Sequence, residues 1–150
     1  MGIEQDISQA KFRNEFQKAG INLIYTFNWM NERVKTMLDE YDITPQQFNI
    51  LRILRGAGKP ISTLQIRQRM LDKMSDTSRI VDRLLKKELV KKVTCEGDRR
   101  LVDVTISETG LALLGRIDSR QDEIDNIFKN LDEEQAITLN KLLDKIRNAG

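Results

Sequence analysis

The 150-residue sequence contains no histidine and only one cysteine, Cys95. Without histidine there is no imidazole to act as a general base at neutral pH, and no Ser-His or Cys-His nucleophile system. A single thiol forms neither an intrachain disulfide nor a zinc site built from the usual cysteine and histidine ligands. The sequence therefore predicts a protein that is not an enzyme and that holds no metal or other cofactor.

Proline and glycine are also scarce, with two and eight residues respectively. So few chain-breaking residues favour long helices and argue against an all-β fold with many turns. No segment approaches the roughly 18 consecutive apolar residues of a membrane span, and the polar first residues do not resemble a secretory signal. We expect a mainly α-helical, cytoplasmic protein with no membrane partner.

The formal net charge is only +2, but the charges are unevenly distributed. Residues 61–106 carry eleven basic and seven acidic side chains, whereas residues 107–150 carry six and nine. A polyanionic partner would therefore meet the middle of the chain. On charge alone, an ordinary solvated surface explains this excess equally well.

Apolar residues at steps of three, four or seven predict a long helix near the N-terminus. This stripe consists of Phe12, Phe16, Leu23, Phe27, Met30, Val34, Leu38 and Tyr41. It indicates a helix of about thirty residues, a length that normally requires a partner helix along it. A second helix is expected to begin at Pro45, with Thr44 as its N-cap and Gln47 completing a capping box.

Two short helices follow in the pattern of a helix-turn-helix. The segment 61–64 offers the cap of the first, and the segment 75–79 opens the second. In this second helix the predicted buried stripe consists of Ile80, Val81, Leu84 and Leu85. The predicted outer face is polar and basic, and consists of Ser75, Ser78, Arg79, Asp82, Arg83 and Lys86.

The periodicity then changes to that of β-strands. Residues 89–94 are rich in β-branched side chains, and residues 102–106 alternate apolar with polar. The charged segment between them is typical of a hairpin tip, where Gly97 is free to take a positive φ angle. A hairpin directly after a helix-turn-helix is a wing, so the predicted fold is mainly α with a small β-hairpin wing.

From Ser107 onward the helical period returns. One apolar stripe continues to Leu131, and Asp132 with Gln135 predicts the start of a further helix. The chain is thus expected to have long helices at both ends and a compact middle.

A helix that enters the major groove of DNA needs short polar side chains near its N-terminus and cations for the flanking phosphates. The short side chains here are Ser75, Thr77 and Ser78, and the cations are Arg79, Arg83, Lys86 and Lys87. An ordinary exposed helix face is the alternative if this helix is judged alone. The basic hairpin beside it favours double-stranded DNA as the partner.

These residues resemble the MarR (multiple-antibiotic-resistance regulator) family of bacterial, dimeric winged helix-turn-helix regulators. The resemblance rests on residues 75–87, on Leu89-Val90, and on the wing segment Gly97-Asp98-Arg99-Arg100 that leads towards Gly110. It implies that the helix at 75–87 enters the major groove and that the wing arginines, Arg99 and Arg100, reach the adjacent minor groove. Arg100 fits the arginine of the family's Asp-x-Arg pattern, whereas Arg99 is expected to contact either a phosphate or solvent. Gly97 and Asp98 would shape the wing.

Glu88 departs from the family pattern, which commonly has glycine at this position. A left-handed backbone at the end of a helix costs a non-glycine residue roughly 1 kcal/mol. The exit from the recognition helix is therefore expected to differ slightly.

The expected organisation has three parts: an N-terminal dimerisation helix at residues 1–43, a winged helix-turn-helix core at 44–110, and C-terminal dimerisation helices at 111–150. Apolar stripes at both ends would leave too much apolar surface on a monomer. A twofold homodimer would hold two recognition helices about 34–36 Å apart, which predicts a pseudo-palindromic site. Packing of all stripes within one chain is the alternative.

The resemblance also implies control by a small molecule or an oxidant that changes the spacing of the recognition helices. Candidates for binding an aromatic or anionic effector are Trp29, Arg33, Phe48 and Arg52. Aromatic residues at helical spacing more often belong to the core, which is the alternative for Trp29 and Phe48. Cys95 is the redox candidate, with an inert thiol as its alternative.

The sequence thus predicts a sequence-specific DNA-binding transcriptional regulator, a ligand-responsive repressor that acts as a homodimer. The alternative is a dimeric protein-interaction module on a winged-helix scaffold without specific DNA readout. The set of cations argues against that loss of readout; it consists of Arg79, Arg83, Lys86, Arg99 and Arg100.

Overall fold

The computed structural model describes residues 1–94 and 102–148 of the chain. Its helices, in chain order, are α1 (Ile3–Asp6), α2 (Glu15–Asp39), α3 (Pro45–Ala57), α4 (Thr63–Arg69), α5 (Thr77–Lys86), α6 (Glu108–Asp118), α7 (Gln121–Asp125) and α8 (Glu133–Arg147). Its strands are β1 (Ile61–Ser62), β2 (Val90–Thr94) and β3 (Val102–Ile106), and a short 3₁₀ helix covers Asn126–Phe128. The predicted class, mainly α with a small β-hairpin wing, is confirmed.

The three strands form one antiparallel sheet in the order β1-β3-β2. In the hairpin, Val90 pairs with Ile106 and Thr94 with Val102. Strand β1 adds a third strand by pairing Ile61 with Val104. The sequence did not predict β1, because two residues are too few to show an alternating pattern.

The chain divides into two compact units, Met1–Leu114 and Gly115–Gly150. The core of the first unit contains fully buried aliphatic side chains from α2, α3, α4, α5 and the start of α6. These are Leu38, Ile50, Leu51, Leu54, Ile66, Leu84 and Leu114. Each lies on the apolar face of its helix, so burial of one stripe per helix positions α5 with its opposite face outward.

Capping boxes begin three of the described helices, and those of α3 and α8 were predicted from their sequence motifs. The Thr44 hydroxyl accepts from the Gln47 amide of α3, and the Asp132 carboxylate does the same for Gln135 of α8. Ser62 and Gln65 form the third box, at the start of α4. Helix α3 ends at Gly58, whose φ of 65° is the left-handed geometry that glycine accepts without strain.

Two of the predicted long helices have different bounds in the structure. Helix α2 begins at Glu15 rather than near Phe12, because the Asn14 side chain accepts from the Gln17 amide and caps the helix there. The expectation of one helical stripe continuing from Ser107 to Leu131 is also wrong. Helix α6 ends at Asp118, where the Ser119 hydroxyl donates to the Arg116 carbonyl and competes with the backbone ladder.

In the second unit, none of the described side chains of α7 or α8 is buried. Its exposed apolar side chains are Phe128, Leu131, Ile137, Leu142 and Ile146. None of the described helices combines the length and apolar character needed to cross a bilayer.

Candidate nucleic-acid interface

The N-terminus of α5 is fixed by Asp76, whose carboxylate accepts from the Arg79 amide at 3.2 Å. Ser75, expected to open this helix, lies in the preceding turn instead. Its hydroxyl donates to the Asp72 carbonyl at 2.7 Å. The carboxylate of Asp76 is thus the N-cap, and it leaves Ser75 half-buried before the helix.

The outer face of α5 is polar, cationic and exposed. Val81 and Leu84 are buried, at 3% and 0% exposure, which holds the opposite side of the helix in solvent. The exposed residues of that side are Ser78, Arg79, Asp82, Arg83 and Lys86. Within residues 1–94 and 102–148, no side chain or carbonyl pairs with the charged groups of Arg79, Arg83 or Lys86, so all three are available to an anion.

Thr77 departs from the predicted set of DNA-facing side chains. It is only 4% exposed, and its hydroxyl oxygen has no hydrogen-bond partner among the described residues. Thr77 lies four residues before Val81 and seven before Leu84, which places it on the buried face of α5. The expectation that its side chain meets a base edge is therefore corrected.

The wing is described only along its two strands. Strand β2 carries exposed Lys91 and Lys92, two cations that the sequence-based site did not include. Both lysines add positive charge to the wing. The predicted tip residues Gly97, Asp98, Arg99 and Arg100, and the redox candidate Cys95, lie outside the described residues, so those assignments stay predictions.

Comparison with known proteins matches this arrangement. A family model described as MarR family matches residues 41–101, which run from the turn before α3 to the wing. The multiple antibiotic resistance protein MarR of Salmonella typhimurium is 32% identical over 127 residues, covering 83% of this chain and 88% of that protein. The chain belongs to the MarR family.

Two solved structures of MarR-like proteins share its fold. A mutant MarR from E. coli complexed with operator DNA has a TM-score of 0.80 and 25% identity, covering 91% of this chain and 99% of that one. The organohalide-sensing transcriptional regulator RdhR, in its 2,4-dichlorophenol-bound form, has a TM-score of 0.79 and 19% identity, covering 93% and 86%. The protein is thus a DNA-binding transcriptional regulator of the MarR family and not an enzyme.

In this MarR-family chain, a cavity of about 460 Å³ lies beside the N-terminus of α5. Its lining consists of Thr63, Leu64, Arg67, Ser75, Asp76, Thr77 and Ser78. The cavity is not predictable from the sequence, because Arg67 and Thr77 belong to different helices and only the folded α4–α5 pair brings them together. Arg67 of α4 and Thr77 of α5 therefore line the same cavity.

The four predicted effector residues form two cation–π pairs, each within one helix. The Arg33 guanidinium carbon lies 3.6 Å from the centre of the Trp29 ring on α2, and Arg52 lies 5.6 Å from the Phe48 ring on α3. Both spacings are i,i+4, as expected for neighbours on a helix surface. None of the four lines the cavity beside α5, so their role in binding an effector stays a prediction.

Lys87 ties the C-terminus of α5 to the segment that connects α2 with α3 and to the start of α3. Its ammonium donates to the Asp42 carbonyl and, at 3.3 Å, to the Gln47 side-chain oxygen. Glu88 follows with a φ of 60°, the left-handed geometry that the sequence analysis associated with glycine. The Leu89 amide then donates to the Leu84 carbonyl at 3.1 Å, closing the helix in the manner of a Schellman motif.

Proposed function

We propose that this MarR-family regulator binds pseudo-palindromic duplex DNA as a homodimer and represses transcription at the sites it covers. In each protomer, α5 lies in the major groove with Ser78, Arg79, Arg83 and Lys86 towards the DNA. Arg99 and Arg100 of the wing reach the adjacent minor groove. The observation that carries the proposal is the outer face of α5, where three exposed cations accompany a single acid, Asp82.

The homodimer is supported by exposed apolar side chains near both ends of the chain. On α2, Leu23, Ile24 and Phe27 are 41%, 65% and 56% exposed, and on α8 Leu142 and Ile146 are 54% and 59% exposed. Apolar surface of this kind is typical of an interface between subunits. A twofold axis would then hold the two α5 helices about one turn of DNA apart.

The effector of the proposed repressor is aromatic or anionic. The dichlorophenol-bound RdhR structure shows that this fold accommodates an aromatic molecule. In the present chain, the Trp29–Arg33 and Phe48–Arg52 pairs combine aromatic surface with positive charge, and the cavity beside α5 is a second location. Such a molecule regulates the protein only if it binds the two spacings of the recognition helices unequally. Because its target is bacterial duplex DNA, we place the protein in the cytoplasm.

Selection of bound sequences from random duplexes at physiological salt tests the DNA-binding proposal. The expected result is an inverted repeat with half-site centres about one helical turn apart. Failure to enrich any duplex would favour the protein-interaction module instead. The same experiment run with Arg79→Ala separates base readout from general charge.

Arg79→Ala is expected to relax base preference at one position in each half-site, because one side-chain contact discriminates by about 1–3 kcal/mol. Lys59→Ala is the matched control, since Lys59 is an exposed cation in the loop after α3 and should leave the consensus unchanged. If Arg79→Ala selects the same consensus as the parent, Arg79 does not read a base directly.

Titration of the DNA complex with benzoate and with 2,4-dichlorophenol tests the effector proposal. Arg33→Ala should weaken the response if the effector lies beside Trp29, whereas Arg67→Ala should weaken it if the effector fills the cavity beside α5. A parent complex that neither compound dissociates, up to their solubility limits, would contradict an aromatic effector.

A further inference from the structure

Lys87 connects the end of α5 to a distant part of the chain. Its ammonium donates to the Asp42 carbonyl, 45 residues earlier, and to the Gln47 side-chain oxygen, 40 residues earlier. Asp42 lies in the connection between α2 and α3, and Gln47 lies in the first turn of α3. One side chain therefore joins the predicted recognition helix to the point where the N-terminal arm, helix α2, ends.

Both acceptors of Lys87 are held in place by local contacts that do not involve the lysine. Asp42 has a φ of 56°, and the Ile43 amide that follows it donates back to the Leu38 carbonyl of α2 at 3.4 Å. Gln47 is 4% exposed, and its side-chain oxygen also accepts from the Thr44 amide at 3.1 Å. Fixed acceptors of this kind favour a defined position for the ammonium.

The ion pair between Lys87 and the Asp42 carboxylate is the weaker part of this contact. The charged groups are 3.8 Å apart, and the Asp42 side chain is 99% exposed. Solvent therefore screens the pair. The Asp42 carbonyl and the buried Gln47 amide oxygen supply the directional contacts.

Lys86 provides a contrast at the neighbouring position. It is exposed, and among the described residues nothing accepts from its ammonium. Both lysines lie at the end of α5 and carry the same charge, yet only Lys87 is engaged with the α2–α3 connection. A contact to a DNA phosphate is therefore expected of Lys86 and not of Lys87.

We propose that Lys87 is a positioning residue, which ties α5 to the end of the N-terminal arm and so sets the separation at which a dimer presents its two recognition helices. The inference rests on the proposed dimeric function. A displacement of α2 moves the Asp42–Gln47 connection, and the bound ammonium makes the end of α5 follow it. Without the ammonium, the end of α5 is coupled less tightly to the α2–α3 connection, and the separation of the two recognition helices is less well defined.

The test measures binding of the full-length protein to duplexes carrying the selected half-sites at the preferred spacing, and at spacings one base pair shorter and longer. Affinities are measured by fluorescence anisotropy at several salt concentrations, for the parent, Lys87→Met and Lys86→Met. For Lys87→Met we expect the discrimination between spacings to fall by about fivefold or more, with the salt slope of the parent retained. For Lys86→Met we expect retained discrimination and a slope shallower by about one unit.

Spacing discrimination is the decisive quantity, because a uniform loss of stability would lower binding to all three duplexes alike. Lys87→Gln, which keeps a shorter polar side chain, replaces Lys87→Met if thermal melting shows that the latter is unfolded at the assay temperature. A Lys87 variant with the spacing preference of the parent overturns the inference, as does one whose salt slope falls like that of Lys86→Met. A parent protein that shows no spacing preference instead contradicts the proposed dimeric function.

Discussion

Glu88 occupies a backbone conformation that suits glycine better than glutamate. Glu88 directly follows the last turn of α5 and has a φ of 60°. Glu88→Gly removes the clash of the Cβ atom in this conformation, and is expected to raise the free energy of unfolding by about 1 kcal/mol. Urea denaturation of the two proteins measures this difference.

Glu40→Gly is the control for that substitution, because Glu40 ends α2 with a φ of −63°. There the added freedom of glycine in the unfolded chain should lower stability. Equal effects of the two substitutions would show that Glu88 is not strained.

Gly110 is required for a different reason, a close approach of two segments. A Cβ atom built on it would lie 2.7 Å from Ile106 Cγ1 and closer still to the Leu89 carbonyl oxygen. Gly110→Ala is therefore expected to lower the free energy of unfolding by about 1–3 kcal/mol. Thermal and urea unfolding would measure the loss.

Gly115→Ala is its control within the same helix, since a Cβ atom there meets no described atom within 4 Å. That substitution should raise stability by about 0.5–1 kcal/mol through helix propensity. A Gly110→Ala variant as stable as Gly115→Ala would contradict the close approach.

At the residue scale, sequence analysis succeeded where an interaction is local. Thr44 with Gln47 and Asp132 with Gln135 were identified as capping pairs because the partners are three residues apart. Thr77 was misplaced because a short polar side chain at the start of a helix suits either face. The acceptors of Lys87 lie 40 and 45 residues away in the chain, and no local spacing signals such a contact.

At the scale of elements, periodicity predicted helices and the hairpin but not every break. The apolar stripe after Ser107 resumes in phase beyond Asp118, so its pattern alone does not show that α6 ends there. The strand β3 was predicted at its observed bounds because five alternating residues are enough to show a period of two.

The short helix α1 is joined to α2 by a titratable contact. Lys18 donates to the Glu4 carboxylate, and this hydrogen bond holds the pKa of Glu4 below its usual value. The same bond raises the pKa of Lys18. Because the pKa of Glu4 is lowered and that of Lys18 is raised, the contact stabilises the junction at neutral pH.

Acidification should weaken this junction. The contribution of Glu4 is fully present above the ordinary glutamate pKa, and it is lost as the pH falls through the lowered value. The contribution of Lys18 is present below the ordinary lysine pKa and is lost as the pH rises through its raised value. The NMR shifts of the amides of residues 3–6 should therefore change at the acidic end of a pH titration in the parent. Lys18→Met should raise the midpoint of that change towards that of a free glutamate, because the hydrogen bond that lowers the pKa of Glu4 is lost. An unchanged midpoint in Lys18→Met would exclude the contact.

At the scale of the whole molecule, about 35 residues around α5 and the wing carried the prediction of family and function. Their motif combines capping, a buried stripe and exposed cations, which together are more specific than any one of them. The effector is less predictable, because Trp29 with Arg33 and Phe48 with Arg52 are each explained as pairs on a single helix. Spacing along one helix does not reveal whether two such pairs share a ligand.

The proposed dimer makes DNA affinity depend on residues far from α5. Leu142 and Ile146 are more than half exposed and lie four residues apart on α8, so they share one face of that helix. Replacing both with glutamate places charge in the proposed apolar interface, and should shift the protein to a monomer in sedimentation experiments. In a dimer, binding of one recognition helix raises the effective concentration of the other at the second half-site, and a monomer loses this benefit. Affinity for the full site should therefore fall by about a hundredfold or more, while affinity for an isolated half-site is retained.

Lys145→Glu is the matched control for this effect, because it adds negative charge to the same helix at an exposed cationic position. It should leave both the mass of the particle and the affinity for the full site close to those of the parent. If the variant with both Leu142→Glu and Ile146→Glu stays dimeric, the dimer interface lies elsewhere on the chain. A monomeric variant that still binds the full site as tightly as the parent would show that the two recognition helices act independently, because in a coupled dimer the loss of one contact must weaken the other.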